Sequence, residues 1–146
     1  MTCVAWDGKT LSADKMASDG ANHFTVTKIF RHEDLLVGFA GTICLGYAMR
    51  QWVINGCKVD EFPAMQATDD FADMIIVSKQ TRGKPIVMVY EQTPYPYQIE
   101  DKFYAIGSGR DFALAAMHLG KTAKEGVAIA SIYSRSCGNG IDTLTF

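Results

Sequence analysis

The sequence predicts an α+β fold in which two stacked antiparallel sheets lie between outer layers of helices. The predicted elements run in the order strands, helix, strands, two helices and a final strand, which favours this layer architecture. Several predicted strands are apolar on both sides, as expected where both faces of a sheet are covered. The 146 residues are 48% hydrophobic and include no low-complexity segment, which fits one domain over residues 1–146.

The N-terminal part of the chain is predicted to form strands. Val4 and Trp6 lead into Asp7-Gly8, a tight-turn dipeptide, and residues 10–13 lead away from it, as in a β-hairpin. The further signals are a turn at Asp19-Gly20, a partly alternating strand over residues 23–31 and a continuous apolar strand over residues 35–40.

The first helix is predicted to begin after Thr42, a favoured N-cap residue type. Apolar residues then recur at helical spacing until Asn55-Gly56, which ends the helix. The following stretch, residues 58–70, is irregular, and it leaves open a short helix near Met65.

The C-terminal half carries strands, then two helices, then a strand. Gly107-Ser108-Gly109 closes the last of the strands, and Thr122 marks the start of the second helix. The predicted segments are strands over 72–77, 85–90, 97–99 and 103–106, helices around 112–119 and 122–133, and a strand over 141–146.

Charge and cysteine usage exclude several classes of function. A net charge of −2 gives no basic surface for nucleic acid or an anionic membrane. The sequence has no apolar run of about 20 residues and no signal-peptide pattern, so we expect a cytoplasmic protein. The four cysteines show no metal-ligand spacing, so we expect no metal or cofactor, and the thiols are interpreted as free and buried.

Five segments together resemble a known family. Each segment is weak by itself, but they stand in one order at compatible spacings and cover nearly the whole chain. They are Thr2-Cys3-Val4-Ala5, Leu11-Ser12-Ala13-Asp14, Val26-Thr27-Lys28-Ile29-Phe30, Val37-Gly38-Phe39-Ala40-Gly41-Thr42 and Tyr104-Ala105-Ile106-Gly107-Ser108-Gly109.

These segments are similar to proteasome β-type subunits, and most similar to the bacterial HslV-type peptidase. The resemblance implies the four-layer αββα fold of N-terminal-nucleophile (Ntn) hydrolases. Short relatives of this kind also occur in bacteriophage genomes, and the compact length of this chain favours that type.

The resemblance implies that Thr2 is the nucleophile once Met1 is removed. A threonine hydroxyl is a poor nucleophile unless a base takes its proton. The α-amino group of the same residue, with a pKa of about 7.7–8.0, can serve as that base near neutral pH.

The resemblance also assigns roles to four further residues. Lys28 matches the lysine that lowers the pKa of the terminal amine, and Asp14 matches the acid that keeps this lysine charged. Ser108 matches the serine that hydrogen-bonds the amine. Gly41 matches the glycine whose backbone N–H stabilises the oxyanion.

Substrate contacts are predicted from position. Ser18 stands where the family often has a threonine that lines the cleft. The specificity pocket is predicted near Met16, Cys44 and Met49, which would favour apolar side chains.

Two details depart from the family pattern. A symmetric two-residue turn at Asp7-Gly8 places Asp14 opposite Met1, whereas the resemblance implies a partner nearer to the second residue of the mature chain; a one-residue bulge would reconcile the two. Near the C-terminus, Ser136 and Asn139 are the candidates to replace a supporting acid and serine of the family.

The leading hypothesis is a threonine peptidase that acts on peptides or unfolded proteins inside a self-assembled ring, with an unfoldase ATPase as an optional partner. The alternative is a non-catalytic oligomeric binding protein that retains Met1, for example a phage interaction protein or a sponge for a small host signal. A weaker third hypothesis is an autoprocessed small-molecule amidase.

Overall fold

The computed structural model describes residues 2–65 and 70–146, and its strands all pair antiparallel. In chain order the strands are β1 (Val4–Trp6), β2 (Thr10–Asp14), β3 (Met16–Asp19), β4 (Asn22–Thr25), β5 (Ile29–His32), β6 (Leu35–Gly41), β7 (Ala72–Ser78), β8 (Ile86–Tyr90), β9 (Tyr97–Ile99), β10 (Tyr104–Ile106) and β11 (Ile141–Thr145). One sheet has the order β10-β1-β2-β11 and a second the order β5-β6-β7-β8-β9, while β3 and β4 form a hairpin.

Within residues 2–65 and 70–146, three α-helices cover the outer faces of these two sheets. They are α1 (Ile43–Ile54), α2 (Arg110–His118) and α3 (Ala123–Tyr133). Helix α1 packs on β6 and β7, whereas α2 and α3 pack on β1, β2, β10 and β11. The four-layer αββα arrangement predicted from the sequence is therefore confirmed.

Strand β1 shows that the first sheet is buried on both of its faces. Val4 and Trp6 belong to the apolar cluster between the two sheets, whereas Cys3 and Ala5 belong to the cluster under α2 and α3. Side chains alternate between the two faces of a strand, so each face of β1 needs apolar residues. The sequence accordingly has a continuous apolar run here.

The register of the first hairpin differs from the one expected from the turn. Asp7 opposes Thr10 and Gly8-Lys9 forms the turn, because the Asp7 carboxylate accepts hydrogen bonds from the backbone N–H groups of Lys9 (3.0 Å) and Thr10 (2.8 Å). Asp14 therefore lies opposite Cys3, and its N–H donates to the Cys3 carbonyl at 3.1 Å. The expected pairing with Met1 is wrong, and no bulge is needed.

The predicted strand over 23–31 is in fact two strands. β4 pairs with β3, whereas β5 pairs with β6 in the second sheet, so the chain changes partner between them. At this break the Val26 N–H donates to the Lys15 carbonyl at 2.8 Å, and the Lys28 carbonyl accepts from the Phe39 N–H at 3.1 Å. Alternation alone does not reveal such a change of sheet, because both strands keep the same period.

Two further details concern the helices. The irregular stretch contains a short 3₁₀ helix, Val59–Glu61, and Met65 itself lies in irregular backbone directly before residues outside the described ranges. Among residues 2–65 and 70–146, no helix is long and apolar enough to cross a bilayer.

Helix α3 begins with a complete capping box. The Thr122 Oγ1 accepts from the Glu125 N–H at 3.2 Å, and the Glu125 carboxylate accepts from the Thr122 N–H at 2.8 Å. We expect Thr122→Ala to lower the free energy of unfolding by about 1 kcal/mol. Thr42→Ala is the matched control, because the side chain of Thr42, the N-cap residue of α1, makes no cap hydrogen bond and its Oγ1 instead donates to the exposed Asp70 Oδ1 at 3.3 Å. Urea unfolding measures both, and equal losses in the two variants would contradict the prediction.

Candidate active site

The Asp14 carboxylate is the centre of the candidate site. Its Oδ1 accepts from the Lys28 Nζ at 2.9 Å and from the Cys3 N–H at 2.9 Å. Its Oδ2 accepts from the N–H groups of Met16 (3.1 Å) and Gly138 (3.0 Å). Three backbone donors and one ammonium thus hold the carboxylate in a fixed orientation.

The ion pair between Lys28 and Asp14 is fully buried, since both side chains are 0% exposed. Burial disfavours the charged ammonium and lowers the pKa of Lys28, while the adjacent Asp14 opposes this effect. The Lys28 Nζ and the Cys3 N–H share one carboxylate oxygen, so the ammonium lies beside the Thr2–Cys3 peptide.

Thr2 is held by the loop that follows β10. Its backbone N–H donates to the Ser108 Oγ at 3.2 Å, and its carbonyl accepts from the Gly109 N–H at 3.0 Å. Gly107 has φ +91°, and a Cβ there would lie 2.2 Å from the Thr2 carbonyl oxygen. The loop approaches Thr2 this closely only because Gly107 is a glycine.

Gly41 ends β6 next to this loop. Its φ of +111° favours glycine, and a Cβ there would lie 2.2 Å from the Phe71 carbonyl oxygen. The preceding residue, Ala40, would have its Cβ 3.3 Å from a Cβ at Gly107. Gly107 therefore lies close to both Thr2 and Ala40, the residue before Gly41.

A cleft of about 510 Å³ opens at Gly41. Ser18 and Cys44, both predicted as substrate contacts, lie on its wall, and Cys44 is exposed. Among the described residues, the lining is Ala17, Ser18, Asp19, Phe24, Gly41, Thr42, Ile43, Cys44 and Phe71.

The other two residues predicted as substrate contacts lie elsewhere. Met49 is fully buried in the cluster between α1 and the second sheet, where it packs as a core residue. Met16 is 7% exposed and serves the site through its backbone N–H, which donates to Asp14.

The segment after α3 supports Asp14 through the backbone. Gly138 donates its N–H to Asp14, whereas the Asn139 Nδ2 donates to the Phe24 carbonyl at 3.1 Å and the Ser136 N–H donates to the Ser134 Oγ at 3.3 Å. Sequence reasoning missed the N–H groups of Gly138 and Cys3, because the type of a residue does not indicate which acceptor its backbone N–H bonds to.

A second cavity, of about 550 Å³, lies at the opposite end of the sandwich. Its wall runs from the first hairpin turn at Gly8 to the loop at Lys102, and it includes none of the residues that surround Asp14. We place the candidate site at the cleft beside Gly41, because Ala17 of its wall directly follows Met16, whose N–H donates to Asp14. The predicted removal of Met1 concerns a residue outside the described ranges.

The chemistry that this arrangement can perform follows from three groups. A hydroxyl-bearing residue, Thr2, lies beside a buried ammonium, and its backbone nitrogen is hydrogen-bonded to the Ser108 hydroxyl. A glycine with positive φ stands at the entrance of the cleft. Such groups can activate a nucleophile and stabilise a developing negative charge.

Comparison with solved structures shows the same fold over nearly the whole chain. BPH from Thiobacillus denitrificans matches with a TM-score of 0.72 and 19% identity, covering 99% of this chain and 96% of that one. BPH in complex with epoxomicin gives a TM-score of 0.70 and 16% identity, with 99% and 97% covered. HslV from Trypanosoma brucei gives 0.71 and 20%, with 98% and 97% covered.

No protein-family model and no curated protein sequence matches the chain. The likeness is thus one of fold. The chain has the αββα N-terminal-nucleophile hydrolase fold that is also found in HslV-type proteins.

Proposed function

We propose that the protein is a threonine peptidase whose nucleophile is Thr2, exposed when Met1 is removed. The observation that carries this proposal is the fully buried Lys28–Asp14 ion pair beside the Thr2–Cys3 peptide. A buried ion pair adds little to the stability of a fold, because the cost of desolvating the two charges offsets most of their attraction. Buried charges with a specific partner next to a cleft are typical of functional sites.

The proposed reaction begins with proton transfer within Thr2. Its terminal α-amino group, hydrogen-bonded to Ser108, takes the proton of the hydroxyl, and Oγ attacks the carbonyl carbon of the peptide. The positive charge of Lys28 lowers the pKa of that amine and favours the attacking oxygen. The Gly41 N–H is the proposed donor to the oxyanion.

Collapse of the tetrahedral intermediate breaks the C–N bond, and the protonated amine of Thr2 gives its proton to the leaving amino group. The acyl group remains as an ester on the Thr2 Oγ. Water, deprotonated by the same amine, then attacks the ester, releases the carboxylic acid and restores Thr2. The cycle needs no metal or cofactor.

The substrate class follows from the cleft wall. Phe24, Ile43 and Phe71 give it an apolar surface, and Asp19 adds one acid at this wall. Peptides with an apolar side chain next to the cleaved bond are the proposed substrates, and unfolded cytoplasmic proteins are their proposed source.

We propose that copies of the chain assemble into a ring that encloses Thr2, with an unfoldase ATPase as an optional partner. The support is the exposed apolar surface of α2 and α3, where Leu119 is 81%, Ile132 73% and Tyr133 70% exposed. Apolar patches of this kind are typical of interaction surfaces. Native mass spectrometry measures the assembly.

The peptidase proposal is tested with two forms of the protein. One is expressed so that the chain begins at Thr2, and the matched control retains Met1; intact mass verifies each terminus. We expect the first form to hydrolyse fluorogenic peptides with an apolar residue before the cleaved bond. The control should not, because its Thr2 nitrogen is an amide and Thr2 is 0% exposed in the full chain.

Epoxomicin, which one BPH structure holds, supplies an independent probe of the same site. It should reduce hydrolysis by the form that begins at Thr2. Absence of hydrolysis in both forms, with both assembled and folded, would favour the non-catalytic binding protein instead.

A further inference from the structure

Two buried thiols lie next to Thr2, on the side of its segment that faces α2 and α3. Cys3 is 0% and Cys137 4% exposed, and both belong to the apolar cluster under α2 and α3. The Lys28–Asp14 pair and the mechanism proposed above use neither sulfur atom.

The two cysteines meet at Gly109. A Cβ at Gly109 would lie 2.7 Å from the Cys137 Sγ and 2.8 Å from the Cys3 Cβ. Both atoms therefore stand in the space that the missing side chain of Gly109 leaves open. These two distances put the Cys137 Sγ no more than about 5.5 Å from the Cys3 Cβ. A disulfide requires two Cβ atoms about 3.5–4.5 Å apart, so the two side chains lie in the range from which such a bond can form.

The segments that carry these cysteines also hold Asp14. The Cys3 N–H donates to the Oδ1 of Asp14, and the N–H of Gly138, the residue after Cys137, donates to the Oδ2. A bond between the two sulfurs would join the two segments around one carboxylate. It would form on the helix-facing side of β1, away from the neighbouring Val4, which faces the second sheet.

We infer that Cys3 and Cys137 are an intrachain disulfide site that a peroxide oxidises and that locks the two segments holding Asp14. One thiolate attacks the O–O bond of hydrogen peroxide and becomes a sulfenic acid, with release of water. The second thiol attacks that sulfur, the S–O bond breaks, and a second water leaves. The two thiols lose two electrons in total, and the peroxide gains them.

The rate of this reaction depends on pH. Burial raises the pKa of both Cys3 and Cys137, so little thiolate is present at neutral pH. Disulfide formation should therefore accelerate as the pH is raised from 7 to 9, by roughly tenfold for each unit.

The disulfide is detected by mass spectrometry of the native protein after peroxide treatment. Every cysteine falls in its own tryptic peptide: residues 1–9 (2–9 after removal of Met1) hold Cys3, 32–50 hold Cys44, 51–58 hold Cys57 and 136–146 hold Cys137. We expect a cross-linked 1–9/136–146 pair that is lighter by two hydrogens than the separate peptides and that dithiothreitol separates.

Thermal unfolding gives the second readout. Because the bond closes most of the chain into a loop, we expect the oxidised protein to melt at least about 5 °C higher than the reduced one. The matched variants are Cys137→Ala, which should lose the cross-link and the shift, and Cys44→Ala, which removes an exposed thiol and should keep both.

Two results would overturn the inference. In one, peroxide oxidises Cys44 while Cys3 and Cys137 remain fully alkylatable after denaturation. In the other, the 1–9/136–146 pair forms only in denaturant. Both outcomes are read from the parent protein, so they hold even if Cys137→Ala fails to fold. The experiment needs no peptidase activity, so its failure and failure of the proposed function are separate results.

Discussion

In a chain that begins at Thr2, Thr2→Ala is expected to reduce peptide hydrolysis by about 10³-fold or more. The substitution removes the oxygen that forms the bond to the substrate, while the terminal amine, Ser108 and Lys28 remain. The proposed oligomer should be unchanged, because alanine keeps the backbone N–H and carbonyl that bond to Ser108 and Gly109. Steady-state kinetics with a fluorogenic peptide, together with native mass, measures both effects.

Thr2→Ser is the matched control for this experiment. It keeps a hydroxyl in the same position and should retain a measurable part of the activity. If Thr2→Ala hydrolyses the peptide as fast as the parent, Thr2 is not the nucleophile. Loss of the oligomer in Thr2→Ala would show that the side chain is needed for structure.

Lys28→Met is expected to lower the free energy of unfolding by about 3–5 kcal/mol and to abolish hydrolysis. Methionine has a similar volume, but it leaves the Asp14 carboxylate buried without a positive charge. The three backbone donors that remain cannot replace this charge. Urea unfolding measures the stability, and the peptide assay on the chain that begins at Thr2 measures the activity.

The matched control is Lys15→Met, because Lys15 directly follows Asp14 in the sequence. Lys15 pairs with Asp142 at 2.9 Å, but the two side chains are 25% and 30% exposed. Water screens this pair, so its loss should lower the free energy of unfolding by no more than about 1 kcal/mol and leave hydrolysis nearly unchanged. Equal effects of the two substitutions would contradict a special role for the buried pair.

Local patterns in the sequence were sufficient to predict most elements. Helix α1 was predicted from Thr42, the helical spacing and Asn55-Gly56, and the structure ends it at Ile54. The start of α3 at Thr122 was also predicted, and the capping box explains why. These signals are reliable because caps and periodicity act over a few neighbouring residues.

The register of the first hairpin could not be predicted from its turn dipeptide. A turn on Asp7-Gly8 would place Asp14 opposite Met1, whereas a turn on Gly8-Lys9 places it opposite Cys3, and the dipeptide is compatible with both. The chosen register also lets the Asp7 Oδ2 accept from the Ala123 N–H at 2.8 Å, a contact with a helix far along the chain. A long-range contact therefore favours one of the two registers that the turn dipeptide allows.

By itself, the sequence predicted the layer order and most of the elements, and its resemblance to proteasome β-type subunits supplied the candidate site residues, including Thr2, Asp14, Lys28 and Ser108. Only the tertiary structure decided that these residues meet, that the lysine and the aspartate are both fully buried, and that Met49 is a core residue. The physical reason is that burial and backbone hydrogen bonds depend on segments distant in sequence. The Gly138 N–H on Asp14 spans 124 positions along the chain, and no local pattern encodes it.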